Sequence, residues 1–379
     1  MTEKNEDKKN IFLTSQIITY MGNKRKLLGE IDFVIEDLKT KMKKDKLTIG
    51  DGFSGSGIVS RLLKTKADKL FTNDLAGYSH TLNECYLATP NINTRKKIYR
   101  YIDEVNELAN NYNDDISEPW ISAHWAPKTD TITKNDRAYF TRENGRRIDI
   151  IRDYICKLPK KYRPFLLAPL IVESSIHNNT SGQFSAFYKD GEVGAFGGKN
   201  AIDTNRITKP IQIPYPIFNY HKCDICNTRM DTNEWAKTFP HEPLDIVYYD
   251  PPYNKHPYNI YYFMLDIIYD WNKTISIPDT NRGQPLNWYK SRYNSKVEAK
   301  DTMEELIKHT NARYIILSYN DGGIIPISEL DDILKRNSLH VEKKPIVHKT
   351  YNRLKGISNY KREKDYQDVK EFLYVIKKK

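Results

Sequence analysis

The chain has 379 residues, and its 60 Lys and Arg against 49 Asp and Glu give a formal net charge of +11. Hydrophobic residues make up 39% of the chain and aromatic residues 12%, which excludes a disordered tail and a membrane-embedded protein. The longest nearly continuous apolar stretch, 165–172, is far shorter than the ~20 residues that span a bilayer. Four cysteines are too few for a disulfide framework, and the first ten residues carry no apolar signal segment. We therefore expect a cytoplasmic protein with no membrane partner.

The hydrophobic pattern predicts alternating strands and helices. In chain order, the predicted elements are a strand at 46–51, a helix at 58–64, a strand at 70–73, a helix at 79–87, a helix-rich stretch at 91–175, a turn-rich region at 182–216, a strand at 244–249, a helix at 303–308, a strand at 313–318, and two β-rich runs at 339–347 and 371–376. This alternation favours an α/β fold around a mainly parallel, twisted sheet, with a helical insertion after residue 90.

A glycine-rich turn follows the first predicted strand, with the sequence Asp51-Gly52-Phe53-Ser54-Gly55-Ser56-Gly57. In a doubly wound sheet, such a turn lets the backbone approach a cofactor, and the next helix directs its N-terminus at it. Asp74 ends the second strand, where a carboxylate accepts hydrogen bonds from ribose hydroxyls. The P-loop spacing GxxxxGK[ST] is absent. The pattern indicates a nucleoside cofactor, and a purely structural turn is the alternative.

The sequence Asp250-Pro251-Pro252-Tyr253 directly follows the strand 244–249, which is predicted to be buried. Two prolines cannot continue a central strand, so the chain leaves the sheet at its carboxyl end, where ligands of α/β sheets bind. An exocyclic amine of a nucleobase is a poor nucleophile because its lone pair is delocalised into the ring. If Asp250 and the Pro251 carbonyl accept its two N–H bonds, the lone pair can point at an electrophile while Tyr253 stacks on the base. A proline turn that only ends the strand is the alternative.

These two motifs, with Tyr20-Met21-Gly22-Asn23-Lys24 upstream, resemble the cofactor loop, catalytic motif and N-terminal motif of Dam-like adenine-specific DNA methyltransferases. The order of the motifs is that of the alpha group. Further similar segments are Tyr139-Phe140-Thr141 with Asn144 and Arg152, the run 179–184, and Leu317-Ser318-Tyr319-Asn320. The resemblance covers about residues 17–376, although Gly22-Asn23-Lys24 stands where Dam proper has Gly-Gly-Lys.

The resemblance implies a Rossmann-like methyltransferase fold with a C-terminal antiparallel hairpin, and S-adenosylmethionine as the methyl donor. It implies catalysis by Asp250, Pro251, Pro252 and Tyr253 on an adenine flipped out of duplex DNA, within a restriction-modification system that includes a cognate nuclease. The catalytic domain would be 17–90 and 241–379, and 91–240 would be a helical insertion with target recognition. The residues that it implies around the cofactor are Tyr20, Gly22, Lys24, Asp51, Phe53, Gly55, Gly57 and Asp74.

Basic residues supply the candidate contacts to DNA. Residues 282–300 interleave five basic side chains with Trp288, Tyr289 and Tyr293, a mixture that suits a nucleic-acid groove. The last 37 residues, 343–379, contain twelve Lys and Arg against four acids. A solvated basic surface is the alternative for both stretches. The predicted DNA-binding residues are Lys199, Arg206, Arg282, Lys290, Arg292 and Lys296.

Other chemistries remain as alternatives. Cytosine N4 or RNA adenine methylation uses the same motif, and a non-catalytic nucleic-acid-binding subunit would share the fold. A protein-glutamine methyltransferase would have Asn in place of Asp250, and cytosine ring methylation needs a cysteine preceded by proline, which this chain lacks. Cys223 and Cys226, with His221 and His241, could hold zinc, but one short cysteine pair favours free thiols, so we expect no metal.

Overall fold

The computed structural model of the chain describes residues 11–22, 24–112, 118–238, 242–255, 257–286, 289–346 and 370–379. The chain forms two compact units, each assembled from three stretches of sequence. The first unit comprises Met1–Lys46, Ser54–Met230 and Tyr258–Tyr289. The second comprises Leu47–Phe53, Asp231–Pro257 and Lys290–Lys379.

The described strands are β1 Thr48–Asp51, β2 Lys69–Asn73, β3 Lys189–Asp190, β4 Val193–Gly194, β5 Asp224–Thr228, β6 Leu244–Tyr249, β7 Ala312–Asn320, β8 His340–Ile346 and β9 Glu371–Lys377. The described α-helices are α1 Leu28–Met42, α2 Ile58–Lys64, α3 Gly77–Tyr86, α4 Ile92–Asn110, α5 Ile121–His124, α6 Arg142–Lys157, α7 Pro164–Ile176, α8 Thr204–Thr208, α9 Thr232–Lys237, α10 Tyr258–Asp270, α11 Ala299–His309 and α12 Ile327–Arg336.

The first unit is built around α7, whose residues from Phe165 to Val172 are all buried. Helices α3, α4, α6 and α10 pack around it. In α4, the buried residues Ile98, Ile102 and Val105 recur every three or four positions, so one face of the helix joins this core. The unit also contains the parallel pair β2 and β5 and the small antiparallel pair β3 and β4.

The second unit contains five strands in the order β1-β6-β7-β9-β8. Strand β6 is parallel to both neighbours, β1 and β7, and all six of its residues are buried. A strand that is covered on both faces and paired on both edges is typically apolar along its length, and β6 is apolar or aromatic except at Asp245. Strands β8 and β9 run antiparallel, and β9 pairs antiparallel with β7.

These pairings confirm the predicted class, a mixed α/β fold with mainly parallel pairing and an antiparallel C-terminal end. The helix-rich stretch after residue 90 is also confirmed, as α4 to α7. The sequence pattern missed α1, α9, α10, α12 and β5, and the region predicted as turn-rich contains β3, β4 and the short helix α8. No helix in the described part of the chain combines the length and the apolar character needed to cross a membrane. The division into 17–90, 91–240 and 241–379 concerns function, and it stays a prediction.

Candidate active site

Three parallel strands of the second unit end at one edge. The register pairs Asp51 of β1 with Tyr248 of β6, and Tyr249 of β6 with Leu317 of β7. Parallel strands release their following residues on the same side, so the turn after β1 begins beside the segment that starts at Asp250. The Gly52 amide extends the ladder by donating a hydrogen bond to the Tyr248 carbonyl at 3.0 Å. The structure thus brings the start of the glycine-rich turn and the Asp-Pro-Pro-Tyr motif to one edge.

Close packing fixes Phe53 at this edge. A Cβ atom on Gly52 would lie 2.4 Å from Cε1 of Tyr249, so only glycine allows the turn to pass this ring. The Phe53 ring meets Tyr249 and Tyr293 edge-on, with centroids 6.0 and 5.5 Å apart. Phe53 is half-buried, so part of its ring remains accessible to a ligand.

The segment after β6 is held by the residues that follow β7 and by a loop near residue 294. Pro251 is buried, whereas Asp250, Pro252 and Tyr253 are partly exposed. The Tyr253 carbonyl accepts a hydrogen bond from the Ile324 amide at 2.9 Å. The Asn294 side-chain amide donates to the Asn254 carbonyl at 2.6 Å. These bonds fix the backbone on the C-terminal side of Asp250 without using its carboxylate.

The Tyr253 ring has an aromatic neighbour from β7. Its centroid lies 6.1 Å from that of Tyr319, in an edge arrangement. The Tyr319 hydroxyl accepts a hydrogen bond from the Ile325 amide at 3.0 Å, and burial raises the pKa of Tyr319 to about 12. Tyr319 is therefore neutral and fixed, and the partly exposed Tyr253 ring packs against it.

In the first unit, Asp74 joins the rest of the glycine-rich turn to the start of α3. One carboxylate oxygen accepts a hydrogen bond from the Gly55 amide at 2.8 Å, and the other from the Ala76 amide at 2.9 Å. The Ser54 amide and hydroxyl both donate to the Asn73 carbonyl, at 3.1 and 3.0 Å. Burial raises the pKa of Asp74, and the two amides oppose that rise. Asp74 and the glycine-rich turn, both predicted to bind the cofactor, are thus direct neighbours.

Gly55 touches the upstream motif. Its φ of +50° lies in the left-handed region, and a Cβ there would lie 3.0 Å from Cε1 of Tyr20. The Tyr20 ring stacks on Tyr258 and Tyr262, with centroids 5.2 and 4.7 Å away, and lies 6.4 Å from Tyr78. These four rings, Tyr20, Tyr78, Tyr258 and Tyr262, form the tyrosine cluster. The Tyr262 hydroxyl accepts a hydrogen bond from the Met21 amide at 2.6 Å.

The other predicted cofactor residues are positioned by local backbone geometry. Gly22 is exposed with a φ of +74°, and Lys24 is 4% exposed at the start of the 3-10 helix Lys24–Leu27. Gly57 has a φ of +75° and precedes the first residue of α2. Asn23 lies outside the described residues.

A buried arginine on α2 anchors the chain just before Tyr20. Arg61 is 1% exposed, and its guanidinium donates to the carbonyls of Phe12, Ser15 and Gln16 at 3.0, 2.7 and 2.7 Å. The guanidinium carbon also lies 4.0 Å from the centroid of the Tyr86 ring. These hydrogen bonds of Arg61 were not predicted from the sequence, because every residue has a backbone carbonyl and no sequence pattern marks the ones that it binds.

The predicted DNA-binding residues differ in exposure. Arg206 is committed to the protein backbone, because its guanidinium donates to the carbonyls of Ile176, Asn178 and Thr180. Arg292 lies 3.1 Å from the Glu305 carboxylate. The four exposed members are Lys199, Arg282, Lys290 and Lys296.

The expectation that Tyr293 belongs to a nucleic-acid groove is wrong. The side chain is 4% exposed, its hydroxyl donates to Asn233 at 2.7 Å, and its ring supports Phe53. Tyr289 is 47% exposed, as the expectation requires, and Trp288 lies outside the described residues, as does most of the basic stretch 343–379.

Several residues of the similar segments have structural partners. Asn179 donates to the carbonyls of Ala138 and Ala195 and accepts from the Gly197 amide. Arg152 donates to the Ile268 and Tyr269 carbonyls, close to the end of α10. These side chains tie loops and helix ends together within the first unit, so their part in the site is indirect.

The two cysteines lie at strand β5. Cys226 is an exposed residue of the strand, and Cys223 precedes it; burial raises the pKa of the Cys223 thiol to about 12. The described residues contain no group of three or more His, Cys, Asp or Glu side chains placed to hold a metal ion. His241 lies outside the described residues.

Known proteins resemble this chain along most of its length. A family model described as D12 class N6 adenine-specific DNA methyltransferase matches residues 20–333. The type II methyltransferase M.NlaIII of Neisseria lactamica is 26% identical over 371 residues, which cover 95% of this chain and 99% of that protein. M.FokI of Planomicrobium okeanokoites is 29% identical over 372 residues, with 95% of this chain covering 52% of that longer protein. M.CviAII of Paramecium bursaria Chlorella virus 1 is 24% identical over 367 residues, with 95% and 98% covered.

Proposed function

Because this chain belongs to the D12 class N6 adenine-specific DNA methyltransferase family, its reaction is methylation of adenine N6 in DNA, and we propose which of its residues carry that reaction. The fold agrees with the Rossmann-like fold of methyltransferases. The observation that carries the proposal is the shared edge of β1 and β6 in the second unit, where Phe53 and Asp250 follow neighbouring strands.

The residues around the glycine-rich turn fit a nucleoside cofactor. The Asp74 carboxylate is already oriented by two backbone amides, and the half-buried Phe53 ring offers an aromatic face. Gly55 has a positive φ and would place a Cβ in tight contact with Tyr20, 3.0 Å from its ring, as expected where a backbone closes around a ligand. S-adenosylmethionine, when bound, supplies a methyl group on a sulfonium. The residues that would hold it are Tyr20, Gly22, Lys24, Asp51, Phe53, Gly55, Gly57 and Asp74.

In the Asp-Pro-Pro-Tyr motif, Asp250 and the Pro251 carbonyl would accept hydrogen bonds from the two N–H groups of the adenine amine. These bonds would turn the nitrogen lone pair towards the methyl carbon, and Tyr253 would stack on the base. Pro252 would hold the backbone in this extended exit from the strand. The amine would gain positive charge on methylation, and the Asp250 carboxylate would stabilise that charge. The proton then leaves to solvent or through Asp250.

The base must leave the duplex for this chemistry, at a cost of a few kcal/mol for unstacking. The exposed residues Lys199, Arg282, Lys290 and Lys296 would contact phosphates, which set the position of the DNA. Arg206 would contribute indirectly, by holding the backbone of residues 176–180. The contribution of Arg292 would also be indirect, through its ion pair with Glu305. Residues 91–240 would include target recognition, and 17–90 with 241–379 would form the catalytic domain.

We also propose that the protein protects a host genome against a cognate restriction endonuclease. The relatives M.NlaIII, M.FokI and M.CviAII are named as type II methyltransferases, which supports this setting. The nuclease is a functional partner that reads the same sequence and need not bind this chain.

A nucleoside analysis tests the proposal. Purified protein is incubated with duplex DNA and S-adenosylmethionine labelled in its methyl group, and the DNA is digested to nucleosides. We expect the label only in N6-methyl-2′-deoxyadenosine. Label in N4-methylcytosine would move the protein to the cytosine alternative, and transfer to RNA but not DNA would contradict the substrate.

A further inference from the structure

Two carboxyl groups in the first unit bind neighbouring amides at the start of α3. Asp74 accepts a hydrogen bond from the Ala76 amide at 2.9 Å, and Asp266 of α10 accepts one from the Gly77 amide at 3.2 Å. The N-terminus of a helix favours negative charge, because its first amides lack partners within the helix. Asp266 was not identified from the sequence, and the chemistry described above does not use it.

The two carboxyl groups differ in how much of their hydrogen-bonding capacity is used. Both oxygens of Asp74 accept backbone amides, from Gly55 and Ala76. Asp266 accepts one amide on Oδ1, and no residue in the described part of the chain donates a hydrogen bond to its Oδ2. One oxygen of a partly buried carboxyl group thus remains available to a donor from outside the chain.

Close packing brings Asp266 to this position. A Cβ on Gly77 would lie 2.2 Å from Cδ1 of Tyr269, so glycine allows α10 to approach the start of α3. Tyr78 interacts electrostatically with both Asp74 and Asp266, and its ring belongs to the tyrosine cluster that contains Tyr20. Asp266 therefore shares its immediate neighbours with two residues that we assign to the cofactor.

Burial, with a smaller effect of the neighbouring charges, places the pKa of Asp266 near neutral pH. Burial raises the pKa of Asp266 to about 7, and the negative charges of Asp270 and Asp74 act in the same direction. Arg229 opposes the rise, but its guanidinium lies 3.6 Å from Asp270 and donates to the Leu75 carbonyl. An asparagine would bind the Gly77 amide without this cost of burying a charge, so helix capping alone does not account for a carboxyl group here.

We propose that Asp266 is a second carboxylate that binds the ribose of the cofactor: its Oδ2 accepts a hydrogen bond from one ribose hydroxyl of the nucleoside, while Asp74 accepts one from the other hydroxyl. This assignment rests on the proposed function. It requires that the ionised form of Asp266 binds the cofactor.

The test uses the full chain and the Asp266→Asn variant. Asparagine keeps an oxygen for the Gly77 amide but places an N–H donor where Oδ2 was. Hydrogen bonds to charged groups contribute about 1.5–3 kcal/mol, so we expect the Kd of S-adenosylhomocysteine and the KM of S-adenosylmethionine to rise about 10- to 150-fold. The kcat at saturating cofactor should stay within about twofold of the wild type. Asp270→Asn, one turn further on α10, is the matched control and should change neither constant by more than about threefold.

A second measurement needs no variant. The wild-type Kd for S-adenosylhomocysteine and for its 2′-deoxy and 3′-deoxy analogues is measured between pH 5.5 and 8.5. Because the folded protein holds the pKa of Asp266 near 7, the carboxylate is present above that pH and lost below it. Affinity for the intact nucleoside should therefore fall as pH drops below about 7, and the analogue that lacks the Asp266 partner should bind weakly and independently of pH in this range.

Two outcomes would overturn the assignment. One is an Asp266→Asn protein that binds the cofactor as tightly as wild type. The other concerns the affinity that each deoxy analogue loses relative to intact S-adenosylhomocysteine. If Asp266 binds one ribose hydroxyl, the analogue that lacks this hydroxyl loses affinity for the wild type but not for Asp266→Asn. Losses that are the same in both proteins for both analogues would therefore overturn the assignment. If the wild type methylates adenine and either outcome holds, only the Asp266 assignment fails. If the wild type produces no N6-methyladenine, the proposed function fails.

Discussion

Replacing Gly55 by alanine tests whether the glycine-rich turn must touch Tyr20. The substitution adds a single Cβ at a residue with a φ of +50° and at 3.0 Å from the Tyr20 ring. Two other glycines separate the effect of the positive φ from the effect of the contact with Tyr20. Gly191 has a φ of +60° but open space around its Cβ position, and Gly29 of α1 has open space and no positive φ.

The expected magnitudes follow from this geometry. A non-glycine residue in the left-handed region costs about 1–2 kcal/mol, which is the whole effect expected on unfolding for Gly191→Ala. Gly55→Ala also forces the Tyr20 ring to shift within its stack, and a stacked aromatic pair contributes about 0.5–1.5 kcal/mol. We therefore expect Gly55→Ala to lower the free energy of unfolding by about 1.5–3.5 kcal/mol. Gly29→Ala should stabilise α1, by up to about 1 kcal/mol.

Urea unfolding of the three variants gives these free energies, and a titration with S-adenosylhomocysteine gives the effect on the cofactor. Displacement of Tyr20 should weaken cofactor binding by Gly55→Ala at least tenfold, where tenfold corresponds to about 1.4 kcal/mol. Gly191→Ala and Gly29→Ala should bind like the wild type. If Gly55→Ala matched Gly191→Ala in both stability and cofactor affinity, the contact with Tyr20 would have no part in the site.

Two further predictions concern the rest of the chain. Arg61→Met should lower the free energy of unfolding by about 2–4 kcal/mol, because one buried and two partly buried carbonyls lose their donor. It should also weaken cofactor binding by releasing the segment before Tyr20. Arg100, whose side chain is 62% exposed, gives the control: Arg100→Met should change stability by less than about 0.5 kcal/mol in the same urea titration. The double variant Lys290→Ala/Lys296→Ala should reduce the slope of log K for DNA binding against log salt by about 0.9 for each lost phosphate contact, without changing cofactor affinity. Lys335→Ala, at an exposed position on α12, is its control, and an unchanged slope in the double variant would remove both lysines from the DNA contact.

The sequence predicted the strands that are buried on both faces best. Strand β6 has the predicted bounds, because its sequence, apolar or aromatic except for Asp245, is followed by Asp250 and then by two prolines that end the strand. Strand β5 was missed because an exposed, polar, five-residue strand gives no apolar run. Helix α10 was missed because its tyrosines and aliphatic residues occupy nearly every position, so no helical periodicity appears.

The same physical reasons separate the predicted and the missed parts of the site. Gly55, Asp74 and Asp250 belong to short motifs whose spacing follows from the ends of strands. Arg61 binds backbone carbonyls 45 to 49 residues away, and any sequence provides carbonyls, so no pattern marks its partners. Tyr293 was misassigned for a related reason, since an aromatic residue among basic ones gives no indication of which way its ring faces.

Asp250 is proposed to act on the adenine amine and not on the cofactor. The Asp250→Ala variant tests this assignment most directly. The rate of methyl transfer to duplex DNA and the Kd of S-adenosylhomocysteine are measured on the same preparation, beside the wild type. If Asp250 accepts the N–H of the adenine amine and stabilises its developing charge, transfer falls by about 10²- to 10³-fold, the range found when one such electrostatic partner is removed, and the Kd changes by less than about threefold. Near-normal transfer by Asp250→Ala would contradict the account, as would a loss of transfer explained entirely by loss of cofactor binding.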